Sequence, residues 1–335
     1  MKKKLEFMGL KKAFTARGVG QVVTVTFGLI VLCGVFGVIN PQFFSGKNVG
    51  NLLRQIAPIL LIGIGQAYVL ITGNIDLSLG SVVGMSCMFS ATMMTHGVNP
   101  WASVGLTLLA CLLIGLLNGL LVSQCKLPPF IATLGTMSIA RGLAQIVNGN
   151  YNTDSIGNNA QLFRDFFYYG KVFNIYNAIW IALFIWIIFN FILGKTATGR
   201  HIYAVGSNIE AAKLSGISVM KTTTFAYIVS ALCAGIVGLM TCATSGMGSM
   251  DAGTSYEMYA VAAAVIGGIS TLGGQGLLAG TIVGSSIWSV LQNGLQFAGA
   301  PVAIRNIVIG LIVIVSVLLD VIVRSGKMGK KKSVN

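Results

Sequence analysis

Charge is what this chain has least of. Of 335 residues, 9% are Asp, Glu, Lys or Arg, and only eight are acidic. Soluble domains carry about a quarter charged residues, so a water-facing globular protein is excluded. Histidine is confined to His96 and His201, which share no ligand spacing, so no metal site is expected. Six cysteines lie in or beside apolar runs without a C-x-x-C pair and read as small buried hydrophobes, not as a disulfide framework. "LGKTATG" (193–199) ends like a phosphate loop, but the pattern needs glycine at 189, and that position is Phe189 inside an apolar run. There is no nucleophile elbow and no H-E-x-x-H. The chain therefore offers no catalytic residue and no cofactor site of its own.

What it has in abundance is apolar length. Hydrophobic residues make up 55% of the chain and mean hydropathy is +0.83. Ten runs approach the ~20 residues that cross a bilayer: about 20–39, 53–72, 78–95, 101–124, 130–148, 177–193, 220–245, 256–270, 276–296 and 302–323. The fold expected is an all-α polytopic membrane protein of about ten transmembrane helices with one short cytoplasmic helix. A cytoplasmic N-terminal segment covers 1–19, the membrane domain 20–323 and a basic cytoplasmic tail 324–335. The first span reads as uncleaved, because no A-x-A-like site follows it.

The formal charge of +14 does not point to nucleic acid, because the basic residues are clustered. Sixteen of the 22 fall in the N-terminal segment, at Lys126, in or just after the 194–219 loop (Lys195, Arg200, Lys213 and Lys221) and in the tail. Alternating the loops from a cytoplasmic N-terminus places all sixteen inside, so both termini and the 194–219 loop are expected in the cytoplasm. The longest polar insertion, Gly149–Asn177, then faces outside, as a docking surface or a solvated loop. Gly115-x-x-x-Gly119 and Gly280-x-x-x-Gly284 mark helix contact faces. "ITGNIDLSLGSVVG" (71–84) also echoes "IGGISTLGGQGLLAG" (266–280), each a glycine-broken link between apolar runs, as in transporters built on repeats.

"GSNIEAAKLSGI" (206–217) reads as a water-facing helix amid membrane spans. Ser207-x-x-Glu210 has capping-box spacing, and Gly216 supplies the position that ends the helix. Its "EAAKLSG" resembles the E-A-A-x-x-x-G cytoplasmic loop of permease subunits of ATP-binding-cassette importers. "LITGNIDLSLGS" (70–81), "PPFIATLGTMSIARG" (128–142), "GRHIYAVGSNIEAAKLSGI" (199–217) and "SYEMYAVAAAVIGGISTLGGQG" (255–276) together resemble the permeases of ribose-, xylose- and galactose-type sugar importers, in the family's order and spacing. The resemblance implies a bacterial inner-membrane subunit that translocates a pentose or galactose-like hexose. It also implies a second permease copy, an extracytoplasmic sugar-binding protein and an ATPase partner that holds ATP and Mg. Ser207, Glu210, Ala211, Ala212 and Gly216 would be the residues coupled to that ATPase. Two positions depart from the family: Asn74 replaces the second glycine of Gly-Gly-Ile-Asp-Leu-Ser, and Tyr259 stands where an acid is usual.

With so few polar residues inside the spans, each can be weighed. Asp76 follows Gly73 and Asn74 between two runs. It either N-caps the next helix or lines a solute path with Ser78. Arg141 must face protein, a cavity or the interface, because a cation in lipid costs at least ~2.5 kcal/mol. Glu257 opens a span, where the helix dipole favours it. Asn118, Thr133 and Asn293 either tie helices together or touch solute. Asp320 lies one turn from Arg324, at pairing distance. The alternative to an ATP-driven importer is an ion- or proton-coupled secondary transporter, which would need membrane carboxylates that titrate.

The orientation is directly testable. With the native cysteines replaced, Lys213→Cys should react with an impermeant thiol reagent in inverted vesicles and not in intact cells. Labelling of intact cells would overturn the topology.

Overall fold

The computed structural model describes residues 19–332. The helices are α1 (Val19–Ile39), α2 (Gly46–Ile71), α3 (Leu79–Thr95), α4 (Pro100–Ser123), α5 (Pro129–Ile146), α6 (Asn177–Lys195), α7 (Ala197–Ser207), α8 (Ile209–Leu214), α9 (Val219–Ser245), α10 (Tyr256–Ile266), α11 (Ala279–Phe297) and α12 (Val302–Lys332). Between α5 and α6 lies a helical turn over 161–169 and a small antiparallel hairpin, β1 (Lys171–Val172) with β2 (Ile175–Tyr176). Residues 1–18 and 333–335, expected at the cytoplasmic ends, lie outside the described residues, as do the side chains of Asp320 and Arg324.

Local chemistry sets the helix ends. Ser45, Asn99 and Ser218 accept from backbone amides at the starts of α2, α4 and α9. Pro100 and Pro129 occupy first-turn positions of α4 and α5, where a missing N–H costs nothing. Gly246, at φ +70°, closes α9 in the left-handed region.

All ten expected spans are helices, but they are unequal. Five of them, α1, α2, α4, α6 and α9, are long and apolar enough to cross a membrane. The expected span 256–270 ends at Ile266, and its 11 residues rise only about 16 Å, half a bilayer core. Burial separates an inner pair from an outer ring. The apolar stretches of α2 and α9 are 78% and 72% buried, against 6% for α1 and 17% for α6. The apolar faces of α1 and α6 are exposed, as expected of helices that meet lipid.

The inner pair organises an inverted arrangement. Helix α2 leads into a non-helical stretch, 72–78, and then α3; α9 leads into another, 246–255, and then α10. Helix α2 packs on α10 and α11, while α9 packs on α3 and α4, so each lead helix is held by the other half. The starts of α3 and α10 meet deep in the bundle, where Gly80 lies against Gly253 and Glu257. Both interrupted segments thus end at helix N-termini that converge from opposite ends. By position in the fold, 246–255 stands before α10 as 72–78 stands before α3. The 267–278 stretch instead touches the first break, through Gly274 N–H donating to the Ile71 carbonyl at 2.8 Å.

Close approach depends on glycine where the sequence placed it. A Cβ at Gly115 would stand 2.8 Å from Ala231 Cβ, and one at Gly119 would stand 2.5 Å from Thr224 Cα, both on α9. Gly280 and Gly284 likewise press on Gly267 and Ala263. Gly135, on the outer face of α5, has open space where a Cβ would sit. Gly119→Leu should therefore destabilise the detergent-purified protein by about 1–3 kcal/mol through overpacking, while Gly135→Leu leaves its thermal midpoint unchanged. Equal midpoints for the two variants would refute this packing.

Candidate functional site

Three features converge on the interrupted helices. The first is a chain of hydrogen bonds across the bundle. Asp76, fully buried, accepts from the Ser78 amide at 3.0 Å, the Ser78 hydroxyl at 2.6 Å and the Ser230 hydroxyl of α9 at 2.7 Å. Asn118 of α4 donates to Ser78 Oγ at 2.8 Å, and Thr136 of α5 donates to Asn118 Oδ1 at 2.6 Å. Asp76 does not cap α3, because Ser78 flanks that helix. Its carboxylate gathers the donors that the break would otherwise strand. Thr133 bonds back to the Pro129 carbonyl of its own helix, and Asn293 exchanges two amide bonds with Asn48 of α2, at 3.0 and 3.1 Å. Asp76, Ser78 and Asn118 are thus brought together, while Thr133 bonds within its own helix and Asn293 ties α11 to α2 at the wall of a separate cleft.

The second feature is Arg141. Its Nη1 donates to the Met250 and Ala252 carbonyls, at 2.7 and 2.9 Å, so a guanidinium on α5 satisfies the unwound 246–255 stretch. The same stretch is held from outside the bundle by the long insertion. Thr153 N–H donates to the Gly248 carbonyl, Ile156 N–H to Gly246, and Met250 N–H to Asn152 Oδ1. The insertion is therefore a clasp, anchored inward by buried Phe163 and Phe167. Glu257 lies over Gly80 at the first turn of α3, where the helix N-terminus favours a carboxylate.

The third feature, absent from the sequence reading, is a cleft of about 350 Å³ between α2, α9, α10 and α11. Gln55, Thr241, Tyr256, Tyr259, Trp288 and Gln292 form much of its wall. Tyr259 lies 4.9 Å from Trp288 between ring centres. Tyr168, from the insertion, stands at the mouth, and burial raises the pKa of its hydroxyl, keeping it a protonated donor. Gln55 also lines a neighbouring cleft of about 320 Å³ with Lys47, Asn51 and Gln296. The sequence signals for this region were Tyr259, noted as a departure, and Asn293, which lines the neighbouring cleft.

At the opposite end sits α8. Its N-cap is Asn208, whose Oδ1 accepts from the Ala211 amide at 3.0 Å. That corrects the expected capping box: Ser207 still belongs to α7 and donates to the Tyr203 carbonyl, while Glu210 pairs with Lys213 at 2.7 Å. Gly216 behaves as expected, at φ +78°, with its N–H on the Lys213 carbonyl and that of Ile217 on Ala212. Ala212 is buried; Ser207, Glu210 and Ala211 are exposed, and so is Leu214, at 91%. Just before α8, Gly206 touches the Ile71 carbonyl and Gly274, and the Tyr203 hydroxyl, its pKa pushed up to about 12 by burial, donates to the Gly276 carbonyl. Thr196, from the false phosphate loop, N-caps α7.

A multi-helix bundle with paired interrupted helices, a polar cleft at one end and an exposed short helix at the other defines a membrane transport subunit. The chain belongs to the family described as "Branched-chain amino acid transport system / permease component", which it matches over residues 48–317. It is 34% identical to a ribose import permease protein of Bacillus subtilis, over 90% of this chain and 94% of that protein. It is 33% identical to a D-allose transport system permease protein of Escherichia coli K12, over 88% and 90% of the two chains. A galactose/methyl galactoside import permease protein of Haemophilus influenzae is 34% identical, over 91% and 94%. No solved structure matches the chain. It is thus a multi-pass permease subunit and not an enzyme.

The network makes a graded prediction. Asp76→Ala strands buried donors and should cost about 1–3 kcal/mol per group left unpaired. Asp76→Asn should cost less, because the Ser230 hydroxyl can turn to accept. Thermal melts of the purified protein check the order, and Asp76→Ala melting like the native chain would remove the role.

Proposed function

We propose that this permease imports a monosaccharide, delivered by an extracytoplasmic binding protein and driven by an ATPase that docks on α8. The observation that carries this reading is Leu214, a large apolar side chain 91% exposed on a six-residue helix whose end is fixed by Asn208 and Gly216. Ile209, on the same short helix, is also exposed, at 45%, so two apolar side chains are left for a cleft on a partner to cover. ATP and Mg would be held entirely by that partner. The relatives named for ribose, allose and galactose support a pentose or hexose as cargo.

In this reading α8 and both termini face the cytoplasm of a bacterium, and the insertion 149–177 faces the binding protein. A second copy of the chain completes the assembly. Movement of α8 would reach the membrane domain through Gly206, which abuts the end of α2 and the strap before α11. A secondary transporter would need none of these partners.

Two measurements test this. Leu214→Glu changes a fully solvated residue and should leave folding intact, yet abolish co-purification of a P-loop ATPase from native membranes. Uptake of radiolabelled D-ribose, D-allose and D-galactose should collapse on ATP depletion and survive an uncoupler. Uptake by the reconstituted chain alone would establish the secondary transporter instead.

A further inference from the structure

We infer that the cleft between α2, α9, α10 and α11 is a monosaccharide site carried within one chain, with Gln66 as the next polar contact along its route. This rests on the import reading above and specifies where the cargo is held.

The lining argues for a neutral polyol. Amides at Gln55 and Gln292 and a hydroxyl at Thr241 both donate and accept, which is what sugar hydroxyls require. Tyr256, Tyr259 and Trp288 offer flat apolar faces to the C–H side of a sugar ring. Among the described residues no Asp, Glu, Lys or Arg lines the cleft, so a zwitterionic amino acid meets no counter-charge in that wall. Its volume suits a single small molecule.

Gln66 gives the cleft a direction. The residue is fully buried, and neither its amide oxygen nor its amide nitrogen has a hydrogen-bond partner among the described residues. Buried amides are ordinarily paired, so this one is held ready for a partner that the resting fold does not supply. It lies eleven residues beyond Gln55 and seven beyond Ile59 on α2, which puts all three on one helix stripe, about 16 Å from end to end for the outer two. Gln55 and Ile59 line the cleft, so Gln66 continues the same stripe toward the end of α2 at Ile71. A sugar leaving the cleft along α2 would meet Gln66 next.

Gln66→Leu separates this from a passive role. Because the amide makes no bond, the variant should melt no lower than the native protein, yet ATP-driven uptake in the full complex should fall roughly tenfold, the loss of one good polar contact. In a background without native cysteines, Thr241→Cys should react with a thiol reagent, and the transported member of the three-sugar panel should slow that reaction. Native uptake with unchanged rates in Gln66→Leu and no sugar protection at Thr241→Cys would overturn the site while leaving the import reading intact. A native complex that moves none of the three sugars would remove both.

Discussion

Lipid offers no hydrogen bonds, so wherever a membrane helix is broken its backbone must be satisfied by protein. This chain breaks twice, at 72–78 and 246–255, and its rare polar side chains are placed accordingly. Asp76 gathers donors at the first break, and Arg141 supplies donors to carbonyls at the second. One anionic and one cationic residue thus hold complementary sides of the same architecture. The insertion, Asn118, Thr136 and Ser230 extend these two knots to four other elements. Without them the converging starts of α3 and α10 would leave unpaired groups in an apolar interior, at several kcal/mol each.

The breaks also place the moving parts. The cleft lies between the two lead helices and the second half-helix, while Gly206 at the far end touches the point where α2 stops. Contacts between glycines there leave no side chains to absorb a displacement. A shift at α8 would therefore arrive at the end of α2 and at the strap before α11 with little lost, and the helices these adjoin, α2 and α11, both wall the cleft. That is a physical basis for long-range coupling through rigid, contiguous pieces.

Much of this was legible from composition and period. Ten apolar runs gave ten helices, and the two small-residue motifs fell on real contacts, because a missing Cβ has the same meaning in sequence and in space. What failed was finer. The cap moved from Ser207 to Asn208 because two helices abut there, and spacing alone does not tell which residue leaves the helical region. The pairing of 72–78 with 246–255 went unseen because the two stretches share a place between a lead helix and a following helix, not their residues. Of the polar residues singled out, Asp76, Ser78 and Asn118 meet, while Asn293 pairs with Asn48, 245 positions away, which no local pattern reveals. The cleft was invisible for the same reason: Gln55, Thr241, Tyr256 and Trp288 come together only through packing.

The mutual embrace of the two halves has a consequence for biosynthesis. Helix α2 is made early, yet the helices that enclose it, α10 and α11, follow some two hundred residues later. Until they arrive, a helix carrying Gln55, Gln66 and several glycines has α6 and α9 beside it but lacks two of its main partners. Maturation therefore cannot proceed one half at a time. The last third of the polypeptide acts as the closing piece, and a ribosome that stalls before it leaves a membrane intermediate in which the amides of α2 are not fully enclosed.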